Sequence, residues 1–159
     1  MVTFSESLAL NAPASSVWQI VREFEHVDRW VIDLASCKPQ GQGVGMLRHL
    51  VQKDGARVLE QLDGLDESTR TIRYHIVESD LLFSSYSSTI QIKSTGSESC
   101  EIIWTSTFEP KNIDKMLKTN YLRYLEKLKM LCDNRTGGGD ARRFAFYELT
   151  PSPSDGLPQ

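Results

Sequence analysis

Residues 71–108 read TIRYHIVESDLLFSSYSSTIQIKSTGSESCEIIWTSTF, and their period of two decides the fold. In the first run Ile72, Tyr74 and Ile76 alternate with Thr71, Arg73 and His75. In the second, Tyr86, Ile90 and Ile92 share a parity with Ser88, opposite Ser85, Ser87, Thr89 and Gln91. In the third, Ile102, Trp104 and Phe108 share one with Ser106, opposite Glu101, Thr105 and Thr107. Successive side chains of a strand point to opposite faces, so each run is a strand with one apolar and one polar face. The spacing predicts strands over 71–78, 84–94 and 99–108. The turn Thr95-Gly96-Ser97-Glu98 makes the last two antiparallel neighbours.

Working outward, the same alternation predicts strands over 2–10, 31–37, 45–53 and 56–62. Asp54-Gly55 is a hairpin signal and Asp63 to Ser68 a turn. Ala12-Pro13 opens a short helix, with proline at the first helical position, and His26 to Trp30 form a second short helix or turn. Beyond Glu109-Pro110, residues 112–132 read as one helix of about 20 residues, roughly 30 Å long. Ile113, Met116, Leu117, Asn120, Tyr121, Tyr124, Leu125, Leu128 and Leu131 mark its apolar face, and lysines and Arg123 crowd the rest as a solvated surface. The chain therefore divides into a domain over 1–135 and a flexible tail over 136–159. In that tail Gly137-Gly138-Gly139 is a break, residues 141–149 form a short strand or dock on a protein partner, and residues 150–159 are disordered.

At 159 residues, 40% hydrophobic and 25% charged, the chain can bury a full core. A net charge of −3, with no aromatics interleaved with basic residues on a sheet face, argues against nucleic acid as a partner. No run approaches the roughly 18 apolar residues of a membrane span, and the start carries no signal peptide, so a cytoplasmic location is expected. Cys37, Cys100 and Cys132 are odd in number and widely spaced, as buried reduced thiols would be. His26, His49 and His75 have no metal-ligand spacing. Gly41-Gln42-Gly43-Val44-Gly45 lacks the strand-to-helix setting of a phosphate loop, and no other cofactor motif occurs, so no cofactor or metal is expected.

Seven antiparallel strands make a wide, curved surface, and one helix about 10 Å across covers only a stripe of it. Space should remain between the two, so polar groups on the inward parity are the candidates for function. Glu60 shares its face with Val58 and Leu62, unless a bulge shifts that strand. Arg48 shares its face with Met46 and Leu50, although Leu47, His49 and Val51 make an equal inward set, and the two charges could simply pair. Tyr74, Tyr86, Ser88 and Trp104 lie inward on their strands, as lining or as plain core, and Tyr121 joins them from the long helix. Trp30 either caps the mouth or staples the short helix.

The order of elements, with Ala12-Pro13-Ala14-Ser15-Ser16-Val17-Trp18, Val44-Gly45-Met46-Leu47-Arg48, Leu59-Glu60-Gln61-Leu62-Asp63 and Arg73-Tyr74-His75-Ile76-Val77-Glu78, resembles the START/Bet v 1-like helix-grip superfamily (SRPBCC). Ile103-Trp104-Thr105-Ser106-Thr107-Phe108-Glu109-Pro110 is similar to the last strand of its polyketide cyclase/dehydrase-type branch. The resemblance covers about residues 2–132. It implies an α+β helix-grip fold: a seven-stranded curved antiparallel sheet around a long C-terminal helix, with two short helices after strand one. It also implies a deep hydrophobic cavity for lipids, isoprenoids, polyketides or plant hormones, with cyclisation or dehydration in a minority of members. The plant abscisic acid receptors are a distantly similar branch. Their pocket glutamate, tyrosine and serine fall on Glu60, Tyr86 and Ser88. Their carboxylate-binding lysine has no counterpart near Leu34 or Ala35, and their gate and latch motifs are replaced at Lys53-Asp54-Gly55-Ala56-Arg57 and Asp80-Leu81-Leu82-Phe83.

Three functions follow as expectations. The first is a carrier or sensor of a hydrophobic small molecule, oriented by Tyr86, Ser88, Glu60 and Arg48, with the loops near Asp54 and Leu81 as lids. The second is a cyclase or dehydratase with Glu60 as general base and Tyr86 as donor to an oxyanion. The third is an interaction protein using the helix face or the tail.

Overall fold

The alternating runs build one sheet, ordered β1-β7-β6-β5-β4-β3-β2 and antiparallel throughout. Its strands are β1 (Val2–Leu10), β2 (Leu34–Gln40), β3 (Leu47–Gln52), β4 (Arg57–Asp66), β5 (Thr71–Ser79), β6 (Ser85–Gly96) and β7 (Ser99–Glu109). Helix α1 (Ala14–Val21) and a 3-10 helix (Phe24–Arg29) carry the chain from one sheet edge to the other, and α2 (Asp114–Thr136) lies across the inner face. The structure is a computed structural model that describes residues 1–81, 83–109 and 113–136. The tail segments over 137–159 lie outside the described residues. No helix among the described residues is long and apolar enough to cross a membrane.

The inward parity is the one the sequence alternation predicts. Ile72 and Tyr74 of β5, Tyr86, Ile90 and Ile92 of β6, and Ile102, Trp104 and Phe108 of β7 are all buried. They meet Leu117, Tyr121, Leu125 and Leu128 of α2 in a single core. Helix α1 packs against β6 and β7, α2 leans on β1, and the 3-10 helix packs against β2, so the strands between are the less covered part of the sheet.

Several boundaries differ from the sequence reading, and local geometry accounts for four of them. Strand β4 runs on through Asp63 and Gly64, where the sequence predicts a turn, because a bulge absorbs the extra residue: Leu62 faces Tyr74 and Gly64 faces Arg73. The Arg73 guanidinium lies 2.3 Å from where a Gly64 Cβ would stand. The turn comes later, where Asp66 Oδ1 accepts from the Ser68 and Thr69 amides at 2.9 and 3.2 Å. Strand β2 starts at Leu34 rather than Val31, because Val31 N donates to Val27 O at 2.9 Å and finishes the 3-10 helix. As an edge strand β2 tolerates Pro39, which the sequence reading put in the following loop. Pro13 caps α1 in an extended conformation (φ −60°, ψ 143°) rather than occupying its first turn.

Candidate ligand cavity

A cavity of about 430 Å³ persists between α2 and the β2–β7 part of the sheet. That lies within the roughly 300–1,000 Å³ of small-molecule sites. Leu50, Val58, Tyr74, Ile76, Tyr86 and Trp104 form its sheet wall, and Leu117, Asn120, Tyr121 and Tyr124 its helix wall. Val27, Val31 and Leu34 close the side nearest the 3-10 helix. Lys53 and Asp54 of the β3–β4 turn and Leu81 and Phe83 of the β5–β6 connection reach the lining as well. Both loops expected to act as lids therefore border the opening, together with Met116, which is half exposed; Leu82 lies outside the described residues.

Two polar groups stand in this wall. The first is charged. Arg48 and Glu60 face each other across the β3–β4 ladder, on the inward parity. The bulge beside Glu60 puts its extra residue, Val77, in β5, so β4 keeps its register there. Arg48 Nε donates to Glu60 Oε1 at 2.8 Å, Nη2 stands 2.6 Å from the same oxygen as an ion pair, and Nη1 donates to the Phe24 carbonyl at 2.8 Å. The guanidinium lies against two neighbouring rings, Phe24 (3.8 Å to the ring centroid) and Tyr74 (4.8 Å), whose centroids are 6.1 Å apart. Both residues are buried, as a charge pair can be when its hydrogen bonds are made.

The second group is neutral. Tyr86 and Tyr121 share a hydroxyl–hydroxyl hydrogen bond across the gap between β6 and α2. Ser88 donates to the Tyr86 hydroxyl at 3.0 Å, and Ser106 lies 2.6 Å from the Tyr121 hydroxyl. Trp104 Nε1 donates to Ser88 at 3.3 Å, and its indole stacks on Tyr121 at 3.8 Å and 8°. Burial pushes the Tyr74 and Tyr86 phenols above their ordinary range, so both remain protonated near neutrality.

At the rim a third arrangement ties sheet to helix. Asp33 accepts from Arg123 Nη1 and Nη2 at 2.9 and 3.0 Å and from the Tyr124 hydroxyl at 2.7 Å. The hydrogen bonds from Arg123 hold the Asp33 carboxyl below its usual range, while burial raises the Tyr124 phenol.

Of the residues picked out in the sequence, Arg48, Glu60, Tyr74, Tyr86, Trp104 and Tyr121 line the cavity. Ser88 sits one layer behind, bonded to the lining tyrosine. Trp30 does not cap the mouth: it is 2% exposed and packs edge-on against Trp104 at 5.4 Å, supporting the wall from behind. Ser106 was legible on the inward parity of β7 but was not read as a partner of Tyr121. Asp33 and Arg123, 90 residues apart, carried no local signal. Among the described residues no cluster of His, Cys, Asp or Glu is placed to hold a metal ion.

Residues 1–132 match a protein-family model described as polyketide cyclase / dehydrase and lipid transport. The chain belongs to that family. A relative among characterised proteins is the abscisic acid receptor PYL10 of Arabidopsis thaliana, 32% identical over 90 residues, which are 54% of this chain and 49% of the receptor. The chain thus spans about half the length of the curated relative it matches. Among solved structures it is similar to the protein XoxI of Bacillus cereus, with a TM-score of 0.75 and 25% identity over 83% of this chain and 96% of that one. It is also similar to the Zhui aromatase/cyclase of a Streptomyces species, with a TM-score of 0.75 and 16% identity over 85% and 95%. The second likeness shows the fold alone. This family member therefore has the helix-grip architecture that the sequence resemblance implied, with its C-terminal helix set against a seven-stranded sheet.

Proposed function

We propose that the chain binds a hydrophobic small molecule in the cavity under α2, as a carrier or sensor and without turning it over. The observation that carries this reading is the state of the polar groups in the wall. A catalytic constellation leaves its acid and base aimed at the reacting atoms. Here Glu60 is closed on Arg48 through Oε1, with only Oε2 left toward the space. The Tyr86 hydroxyl is taken up by Ser88 and Tyr121, so among the described residues no free donor stands opposite that carboxylate as its acid partner. Such groups orient a ligand while the apolar wall supplies the affinity. A cytoplasmic site of action, as expected from the sequence, belongs to the same proposal.

Native mass spectrometry of the gently purified chain tests it. The expected result is a co-purified apolar small molecule, retained by the unmodified chain and absent from Ile76→Trp, which fills the cavity. Identical spectra for the two proteins would count against the reading. The cyclase or dehydratase alternative makes a different forecast: Glu60→Gln would still hold the molecule while a product formed by the unmodified chain disappears.

A further inference from the structure

The charge arrangement of the cavity wall also limits the class of molecule it accepts, provided that the cavity is a binding site as proposed above. Five charged side chains line it: Arg48 and Lys53 against Asp33, Asp54 and Glu60. They leave no excess of positive charge. The cation inside the wall is fully engaged. Arg48 directs its nitrogens to Glu60 and to the Phe24 carbonyl, its guanidinium lies against the Phe24 and Tyr74 rings, and it is 4% exposed. Lys53 stands exposed at the rim, its backbone bonded to the Asp33 carbonyl at 2.8 Å and Asp54 next to it in the chain. Arg123, across the rim on α2, is held by both Asp33 oxygens. An anion entering the cavity would meet no available guanidinium.

Glu60 offers the opposite chemistry. The hydrogen bond from Arg48 Nε and the ion-pair contact of Nη2 both end on Oε1, and Oε2 accepts no hydrogen bond from any described residue. Nor is Oε2 among the fully buried side-chain atoms that lack a partner, so it keeps surface open to the space it lines. A carboxylate oxygen accepts only, and a buried one is satisfied by an O–H or N–H donor. The rest of the wall is aromatic, with Tyr74, Tyr86, Trp104, Tyr121 and Tyr124 around it.

We infer that the cavity takes an uncharged, largely aromatic or alicyclic molecule with one hydroxyl or N–H donor, which bonds Glu60 Oε2, and that it discriminates against the matching carboxylate. A ligand carboxylate would bring a second anion beside Glu60 in a poorly solvated space whose inner cation, Arg48, is already engaged, while Lys53 stands in solvent at the rim.

Isothermal titration of the full chain at pH 7.5 with 4-hydroxybiphenyl, biphenyl-4-carboxylate and biphenyl tests this. The phenol should bind at least tenfold more tightly than the carboxylate and several-fold more tightly than the hydrocarbon. The double variant Arg48→Met/Glu60→Leu, which removes the pair without leaving a lone charge, should bind biphenyl while losing the preference for the phenol. A carboxylate that binds as well as the phenol overturns the inference, as does a double variant that keeps the preference; both outcomes leave the cavity reading standing. If none of the three compounds binds, the cavity reading falls and takes the inference with it.

Discussion

On the β3–β4 side of the cavity, Arg48 and Glu60 meet as a buried ion pair; on the β6–β7 side, Tyr86, Ser88 and Ser106 meet Tyr121 of α2 in a network of hydroxyls. Both put polar atoms into an apolar wall, and they solve the desolvation problem differently. The ion pair has two members, and removing either strands a buried charge. The hydroxyl network has several members, each able to donate or accept, so the loss of one lets the others reorganise. Polar groups in one wall should therefore differ sharply in how mutation affects them.

The largest effect is expected from Arg48→Met. With Glu60 left uncompensated, stability should fall by about 3–5 kcal/mol in urea unfolding. A loss under about 1 kcal/mol would mean that the pair is open to water and that the contrast fails. The double variant Arg48→Met/Glu60→Leu should recover most of that loss, because replacing both members of a buried pair by apolar groups is often neutral or stabilising by about 1–4 kcal/mol. Additive losses from the two single changes would show that Arg48 and Glu60 act separately.

Tyr86→Phe should cost less, on the order of 1 kcal/mol, since one neutral hydroxyl leaves a network that can close behind it. Its signature is alkaline. Burial raises the folded-state value of the Tyr86 phenol above the unfolded value of roughly 10, so its contribution is complete below that pH and is lost as pH rises through the folded value. The variant should therefore show a shallower loss of stability above about pH 10 than the unmodified chain, as followed by thermal melts. Tyr74 is raised in the same way and should preserve part of the slope.

The smallest effect is expected from Asp33→Asn, which breaks the rim pair with Arg123. That pair is about a third to a half exposed, and salt screens it. The folded Asp33 carboxyl lies below its unfolded value of roughly 3.9, so its contribution is complete above that pH and is lost as pH falls through the folded value. Melts of the variant should differ from those of the unmodified chain little at neutral pH and in high salt. Below about pH 4 the variant should show the flatter acid limb. A neutral-pH loss as large as that of Arg48→Met would erase the distinction between a buried pair and a rim pair.

Strand parity made most of the wall legible before any coordinates. Glu60, Tyr74, Tyr86, Ser88 and Trp104 were placed inward by their neighbours two residues away, and the bulge that endangered Glu60 fell in the partner strand β5 instead. Arg48 was ambiguous because the residues on both parities of β3 are apolar enough; the burial of Leu50 and exposure of His49 decide it. The β4 bulge was misread because Asp63-Gly64 has the composition of a turn, while the Arg73 guanidinium lying over Gly64 is contributed by the next strand. Trp30 stayed open between mouth and staple because a tryptophan after a short helix suits either, and it packs edge-on against Trp104.

The linear order of residues was enough to determine the alternating strands, the long helix and the inward sign of each side chain, because these depend on neighbours a few positions away and on burial of one face. Tertiary structure alone decided that Arg48 turns onto Glu60, that Asp33 finds Arg123 and Tyr124 across 90 residues of chain, and that a hollow stays between helix and sheet. Those outcomes depend on where α2 comes to rest and on how the sheet curves beneath it, and both arise from the sum of many contacts rather than from any local pattern.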